Sequence, residues 1–161
     1  MFSANELLDM AIKLEKNGEA VYRRAIAKVA KPELAALLAW MADEEVRHAR
    51  FFSDLKLNLA TKRANPIMEE MSRELFDDLM GDKNFCLKEV DFSVLNTTEK
   101  LIAVFIEFEK DSVIFYQVLE PLVEDPLARE HLKKIIEEEN RHIELLQEFT
   151  GRPEVFSTLT P

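Results

Sequence analysis

The chain has 161 residues, of which 47% are hydrophobic and 32% are charged, so its composition is that of a globular protein and not of a disordered one. Its 31 Asp and Glu residues outnumber its 21 Lys and Arg residues, and the net charge of −10 argues against binding to nucleic acid or to an anionic membrane surface. The single cysteine, Cys86, excludes an intrachain disulfide framework and any metal site built from four cysteines.

The start of the chain has neither a basic stretch nor the apolar core of a secretion signal. The longest apolar run, residues 34–42, is too short to span a bilayer. We therefore expect a cytoplasmic protein without a membrane segment.

Two helices are predicted in the first part of the chain. The four residues SANE at 3–6 form a capping-box pattern, and helical periodicity continues from there to about Ala30. Pro32 suits the first turn of a second helix, which continues to about residue 63. With two residues or fewer between them, these helices should pack antiparallel as repeat one, residues 4–63.

The crossover, residues 64–97, is predicted to contain a short helix that begins after Asn65 and ends at Gly81. A connector of this length can run back along the whole bundle. It predicts that the second and third helices point in the same direction.

A second hairpin, residues 98–150, completes the predicted fold. Thr97 or Thr98 can cap a helix that runs to about Glu124, and Asp125 followed by proline can cap the last helix. That helix should end near Thr150, where Gly151 could adopt a left-handed conformation.

The two hairpins are an internal repeat. When residues 7–55 are aligned without gaps to residues 101–149, a shift of 94, twelve of the 49 pairs are identical, against roughly three expected by chance. Polar residues hold the register better than apolar ones. The informative identical pairs are Glu15/Glu109, Tyr22/Tyr116, Pro32/Pro126, Glu45/Glu139 and His48/His142.

Charged residues interrupt the inward-facing apolar stripe of each helix near its middle. These residues are Glu15, Glu45, His48, Glu109, Glu139 and His142. Counted from the hairpin turns at a rise of 1.5 Å per residue, all six lie about 21–26 Å from the turn, and therefore in one layer.

Four carboxylates and two imidazoles in an apolar core would be strongly destabilising without compensation. No Lys or Arg lies on the inward stripes, whereas two divalent cations would cancel the four negative charges. Oxygen-rich ligation with one imidazole per metal favours iron or manganese. A glutamate from each of two helices and a Glu-x-x-His motif from each of the others is the pattern of a di-metal four-helix bundle.

Four segments, MAIKLEKNGEAVY, ADEEVRHARFF, FIEFEKDSVIFY and IIEEENRHIELL, resemble the helices of the rubrerythrin-type ferritin-like di-iron proteins. The resemblance covers about residues 4–150 and implies an all-α, ferritin-like four-helix bundle, with residues 1–161 as a single domain. It implies the same six ligands, two iron ions (with manganese as the alternative metal), and no catalytic residue separate from the ligands. It also implies reaction with hydrogen peroxide or dioxygen, and a homodimer.

Two departures from that family affect the expected function. Full-length rubrerythrins carry a rubredoxin module whose iron is held by four cysteines; with one cysteine, this sequence should receive electrons from a separate donor protein. Rubrerythrins also place a further glutamate three residues after the third-helix ligand, where this chain has Ser112. The sequence therefore leaves a di-iron oxidoreductase and a non-catalytic iron-binding or iron-storage protein as alternatives, and the intact ligand set argues against a bundle with a vestigial site.

Residues around the predicted site have less certain roles. Tyr22 and Tyr116, two turns from the glutamates of their helices, could be core packing or could hydrogen-bond to ligand carboxylates across the bundle. Glu44 and Glu138 are interpreted as solvated residues or as partners of a ligand. The remaining interpretations are surface ion pairs for Arg47 and Arg141, an exposed His131, a core or interface Trp40, and no catalytic role for Cys86.

Overall fold

A computed structural model of the protein describes residues 4–59, 70 and 91–151. Within these residues, four α-helices have described bounds: α1 (Ala4–Ile26), α2 (Pro32–Leu59), α3 (Thr98–Leu119) and α4 (Pro126–Thr150). A 3₁₀ turn, Glu120–Leu122, follows α3. No strand occurs in the described part of the chain, which confirms the predicted all-α four-helix bundle.

Several sequence predictions fall outside the described residues. They are Ser3 of the first cap, the end of the second helix at residues 60–63, the short crossover helix that ends at Gly81, and the role of Cys86.

The predicted caps of the second hairpin are present. The Thr97 side chain accepts a hydrogen bond from the backbone N–H of Lys100 at 3.3 Å, and Asp125 accepts one from Ala128 at 2.8 Å. Each bond satisfies a backbone donor that the first helical turn leaves without a partner. The caps therefore start α3 and α4 at the expected positions.

The prediction of very short links within each hairpin is wrong. In the first hairpin, α1 ends at Ile26 instead of Ala30, and the chain turns through residues 27–31. A proline disfavours helical geometry in the residue before it, so Lys31 cannot continue the helix into Pro32. Reversing two packed helices also needs a loop of several residues.

In the second hairpin, a proline lengthens the link between the two helices. Pro121 lacks a backbone N–H and its ring would clash with the preceding turn, so α3 ends at Leu119 instead of Glu124. The chain tightens there into the 3₁₀ turn. At the end of α4, Gly151 stays right-handed (φ −76°, ψ −3°) and donates to the carbonyls of Gln147 and Phe149, so the predicted left-handed cap is also wrong.

Contacts between the hairpins establish the direction of each helix. Tyr22 of α1 reaches Glu109 of α3, while Glu15, two turns earlier, is reached by Tyr116, two turns later, so α1 and α3 are antiparallel. His48 of α2 contacts Glu138 of α4. Phe51, later in α2, packs on His131, earlier in α4, so α2 and α4 are also antiparallel. Helices α2 and α3 therefore point the same way, as the crossover length predicts.

The inward stripes form the core. Leu8 and Leu132 are buried toward one end of the bundle, and Leu38 and Leu146 toward the other. Each such side chain contributes about 1.5–3 kcal/mol when fully buried. The charged layer thus lies between two apolar layers that exclude water. No helix in the described residues has the length and hydropathy that crossing a bilayer requires.

Candidate metal centre

The four helices bring the six predicted polar residues into one buried layer. Helices α1 and α3 each provide one glutamate, while α2 and α4 each provide a glutamate and a histidine one turn apart. The six residues are Glu15, Glu45, His48, Glu109, Glu139 and His142, with relative exposures of 0–2%. The six residues placed together by heptad position and height thus do lie in one layer, and the role of these residues as metal ligands stays a prediction.

The layer consists of two overlapping clusters, in each of which one ligand atom per residue lies within 4.8 Å of the others. One cluster contains Glu15, Glu45, His48 and Glu139; the other contains Glu45, Glu109, Glu139 and His142. Each cluster therefore has its own imidazole and its own carboxylate. The two remaining carboxylates are shared, which is the arrangement expected for a pair of bridged cations.

Glu139 shows this sharing most directly. Its Oε1 lies 2.9 Å from Nδ1 of His48, and its Oε2 lies 2.9 Å from Nδ1 of His142. None of these four atoms has a partner with hydrogen-bond geometry in the described residues. The carboxylate therefore points one oxygen at each cluster.

Two tyrosines hold the unshared carboxylates. Tyr22 donates a hydrogen bond to Oε1 of Glu109, and Tyr116 donates one to Oε1 of Glu15. In both glutamates the other oxygen, Oε2, is buried without a hydrogen-bond partner in the described residues. The sequence left two alternatives for these tyrosines, plain core packing or hydrogen bonds across the bundle, and the structure shows the hydrogen bonds. They leave one oxygen of each carboxylate for a cation.

Removing the Tyr116 hydroxyl should weaken divalent-metal binding. In Tyr116→Phe the ring still packs on Phe52, but Glu15 loses the donor that orients it, and such a loss typically costs about 10–100-fold in affinity. Anaerobic metal titration by calorimetry measures the change. Tyr22→Phe is the matched variant, because it removes the equivalent bond to Glu109. Unchanged affinity in both variants would contradict a ligand-orienting role.

Burial and close charges shift the pKa values of the layer. Burial, together with Glu139, raises the pKa of Glu109 to about 7, and burial raises that of Glu45 well above its usual value. Burial alone would lower the pKa of His142, but Glu109 and Glu139 outweigh it and raise the value to about 10. Burial would likewise raise the pKa of Glu139, but His48 and His142 outweigh it and hold the value below normal. Without metal, the layer is thus stabilised by retained protons.

The donor set fits two divalent cations. Eight buried side-chain oxygen and nitrogen atoms have no hydrogen-bond partner among the described residues, and all belong to the six residues of the layer. The buried residues described include no Lys or Arg that could neutralise the carboxylates. Buried polar atoms left in this way are costly, and a pair of cations would compensate for that cost.

Metal binding at pH 7 should release protons. His142, with a pKa raised to about 10, and Glu109, with a pKa of about 7, hold protons that a cation must displace. Metal affinity should therefore fall as the pH falls from about 7 to 5. Calorimetry in phosphate and in Tris, whose ionisation enthalpies differ, measures the protons released, and equal apparent enthalpies in the two buffers would refute this expectation.

Glu138 and Glu44 occupy equivalent repeat positions, but in the described residues only Glu138 has a hydrogen bond to an imidazole. Oε2 of Glu138 lies 2.8 Å from Nε2 of His48, and this hydrogen bond holds the pKa of Glu138 below normal. Glu44 is buried and not solvated, and it forms an ion pair with Arg47 one turn along α2. The same guanidinium lies 3.8 Å from Oε1 of Glu138. The described contacts thus make Glu138 a direct partner of a predicted ligand, whereas Glu44 is tied to a surface arginine, as predicted for Arg47.

Two other predictions concern residues of α4. Arg141 forms a surface pair with Glu144, and His131 is exposed, as predicted. Ser112 is buried, and its hydroxyl donates a hydrogen bond to the backbone carbonyl of Phe108 in the same helix.

Two features of the site were missed from the sequence. The Trp40 ring, 41% exposed, stands edge-to-face on the His142 ring at 5.2 Å between centroids. A Cβ at Gly18 would lie 3.0 Å from Oε2 of Glu45 and 3.0 Å from the Phe108 ring, so the lack of a side chain there allows Glu45 to approach α1 closely. Only the absence of a side chain at Gly18, on a stripe of larger residues, could have hinted at this close approach.

Comparison with known proteins agrees with this geometry. A family model described as rubrerythrin matches residues 6–150. A crystal structure of a ferritin-like diiron-carboxylate protein from Thermotoga maritima has 26% sequence identity and a TM-score of 0.68, and the match covers 92% of this chain and 94% of that one. No curated protein sequence matches the chain significantly.

Proposed function

Since the chain belongs to the rubrerythrin family, we propose that it is a di-iron carboxylate oxidoreductase that reduces hydrogen peroxide or dioxygen with electrons from a separate donor protein. The observation that carries the proposal is the bridging arrangement of Glu139, with one unpartnered oxygen directed at each imidazole. An oxygen-rich donor set with one imidazole per cation suits iron or manganese better than copper or structural zinc.

The number of available donors favours a reactive site over a closed one. Each cluster offers one imidazole, one unshared carboxylate and a half share of Glu45 and Glu139. Tyr22 or Tyr116 occupies one oxygen of each unshared carboxylate. These donors fall short of the octahedral shell common for such cations, so room is left for a small oxidant.

The protein's own residues keep the layer dry and hold its geometry. Apolar layers above and below exclude water, and the tyrosines orient the carboxylates of Glu15 and Glu109. Bound iron would supply the redox chemistry, in which hydrogen peroxide accepts one electron from each of two ferrous ions and two protons to form two water molecules. Each further peroxide molecule would need two more electrons. A sequence with one cysteine has no four-cysteine iron centre to provide them.

Multiple-turnover kinetics tests the proposal. Protein loaded anaerobically with two equivalents of Fe(II) should reduce many equivalents of peroxide when an electron-donor protein or a chemical reductant is supplied. Glu139→Ala, treated in the same way, should have no activity above that of free iron. Oxidation that stops after one turnover despite excess reductant, or uptake of many irons per chain into a large assembly, would instead support the storage alternative.

A further inference from the structure

The two imidazoles of the layer have different environments on the side that faces away from the clusters. Nε2 of His48 lies 2.8 Å from Oε2 of Glu138, whereas Nε2 of His142 is buried without a hydrogen-bond partner among the described residues. With Nδ1 directed at the cluster, Nε2 carries the proton in each neutral ring. One ring therefore donates that proton to a carboxylate and the other does not.

Differences between the two repeats produce this asymmetry. Glu44 in the first repeat is equivalent to Glu138 in the second, but Glu44 is paired with Arg47. The equivalent Arg141 pairs with Glu144. Glu138 reaches across to His48 with Oε2, while its Oε1 lies 3.8 Å from Arg47. The register of the ligands is thus symmetric, while the pairing of the neighbouring charges is not.

A second substitution between the repeats acts on the other imidazole. Trp40 stands edge-to-face on the His142 ring, and its equivalent in the second repeat is Lys134, which is exposed and contacts Glu130. An indole covers His142 but offers no acceptor comparable to a carboxylate. The contact therefore leaves the Nε2 proton of His142 without a strong acceptor.

We propose that Glu138 is a positioning residue that makes the cation position beside His48 the tighter of the two, so that cations enter in a fixed order, first beside His48 and then beside His142. The inference rests on the proposed di-metal site. A carboxylate that accepts the second ring proton fixes the imidazole tautomer and increases its basicity, and removing such a partner costs about 10–100-fold in metal affinity.

Anaerobic titration of the metal-free protein with Fe(II), followed by calorimetry, tests the order. The unmodified protein should show two separate binding steps. Glu138→Ala should weaken the tighter step by about 10–100-fold and leave the weaker one nearly unchanged. Glu138→Gln, whose amide oxygen can still accept the proton, should recover part of the loss. Glu44→Ala is the matched control, since it removes the same charge near the same imidazole without removing a hydrogen bond to it.

Single-ligand variants locate the steps. His142→Ala should retain the tight step and lose the weak one, and His48→Ala should do the reverse. Thermal unfolding of the metal-free variants shows whether each is folded, and Glu138→Gln serves if Glu138→Ala is not. Equal steps in the unmodified protein, or equal losses in Glu138→Ala and Glu44→Ala, would overturn the inference. Failure of the unmodified protein to bind two cations would overturn the proposed function instead.

Discussion

Replacing Glu139 with alanine should abolish tight binding of both cations, not of one. Its two oxygens face different imidazoles, at 2.9 Å each, and it belongs to both clusters. Loss of a residue that only supports a ligand already costs about 10–100-fold in affinity, so loss of a shared ligand should cost more than about 100-fold at each position. Elemental analysis after gel filtration, and metal titration by calorimetry, measure the loss.

Glu137→Ala is the matched control, because Glu137 is the preceding residue of α4, carries the same charge and is exposed. It should bind two cations as the unmodified protein does. Normal two-metal binding by Glu139→Ala would show that Glu139 is not the bridge. Loss of only one cation would mean that Glu139 serves a single position.

Loading with a divalent cation should strongly stabilise the fold. The unbound layer keeps four carboxylates and two imidazoles buried, with eight polar atoms lacking partners in the described residues. A cation present at about a thousand times its dissociation constant contributes about 4 kcal/mol to the free energy of unfolding. At about 2–4 °C per kcal/mol for a chain of this size, the midpoint of thermal unfolding should rise by roughly 8–16 °C.

The stabilisation of the fold by a bound cation should increase with pH. Glu109 (4.5 to about 7) and His142 (6.5 to about 10) have pKa values that are raised in the fold, so the stability they contribute is full below the unfolded value and is lost as the pH rises through the folded one. The metal-free protein should therefore lose the contribution of Glu109 between pH 4.5 and about 7 and that of His142 between pH 6.5 and about 10. Over these ranges, a cation competes with fewer protons.

Calorimetric unfolding of metal-free and metal-loaded protein at pH 6 and 8.5 measures this difference. Glu139→Ala is the control and should show little metal-dependent change. A metal-induced shift that is equal at both pH values would contradict the assigned sign, and no shift at all would argue against a buried site.

Helical periodicity was enough to predict much of the fold. Apolar residues at helical spacing defined the inward stripes, and Pro32 and Asp125 marked helix starts that the structure confirms. The ends of helices were predicted less well. Helix α1 ends at Ile26 and α3 at Leu119, because proline geometry and the space needed to reverse the chain determine where a helix unwinds.

The sequence by itself determined the angular position of each polar side chain and its height within its own hairpin, because both follow from residue counts at a constant rise and rotation. That is why Glu15 and His48 of the first hairpin could be placed at one level, whereas the packing of the two hairpins decided that Glu109 and His142 lie at the same level. Tertiary structure alone decided which atoms meet. Whether Glu138 reaches His48, and whether Trp40 covers His142, depends on rotamers and on offsets between helices of an ångström or two, and these arise only when four faces pack together.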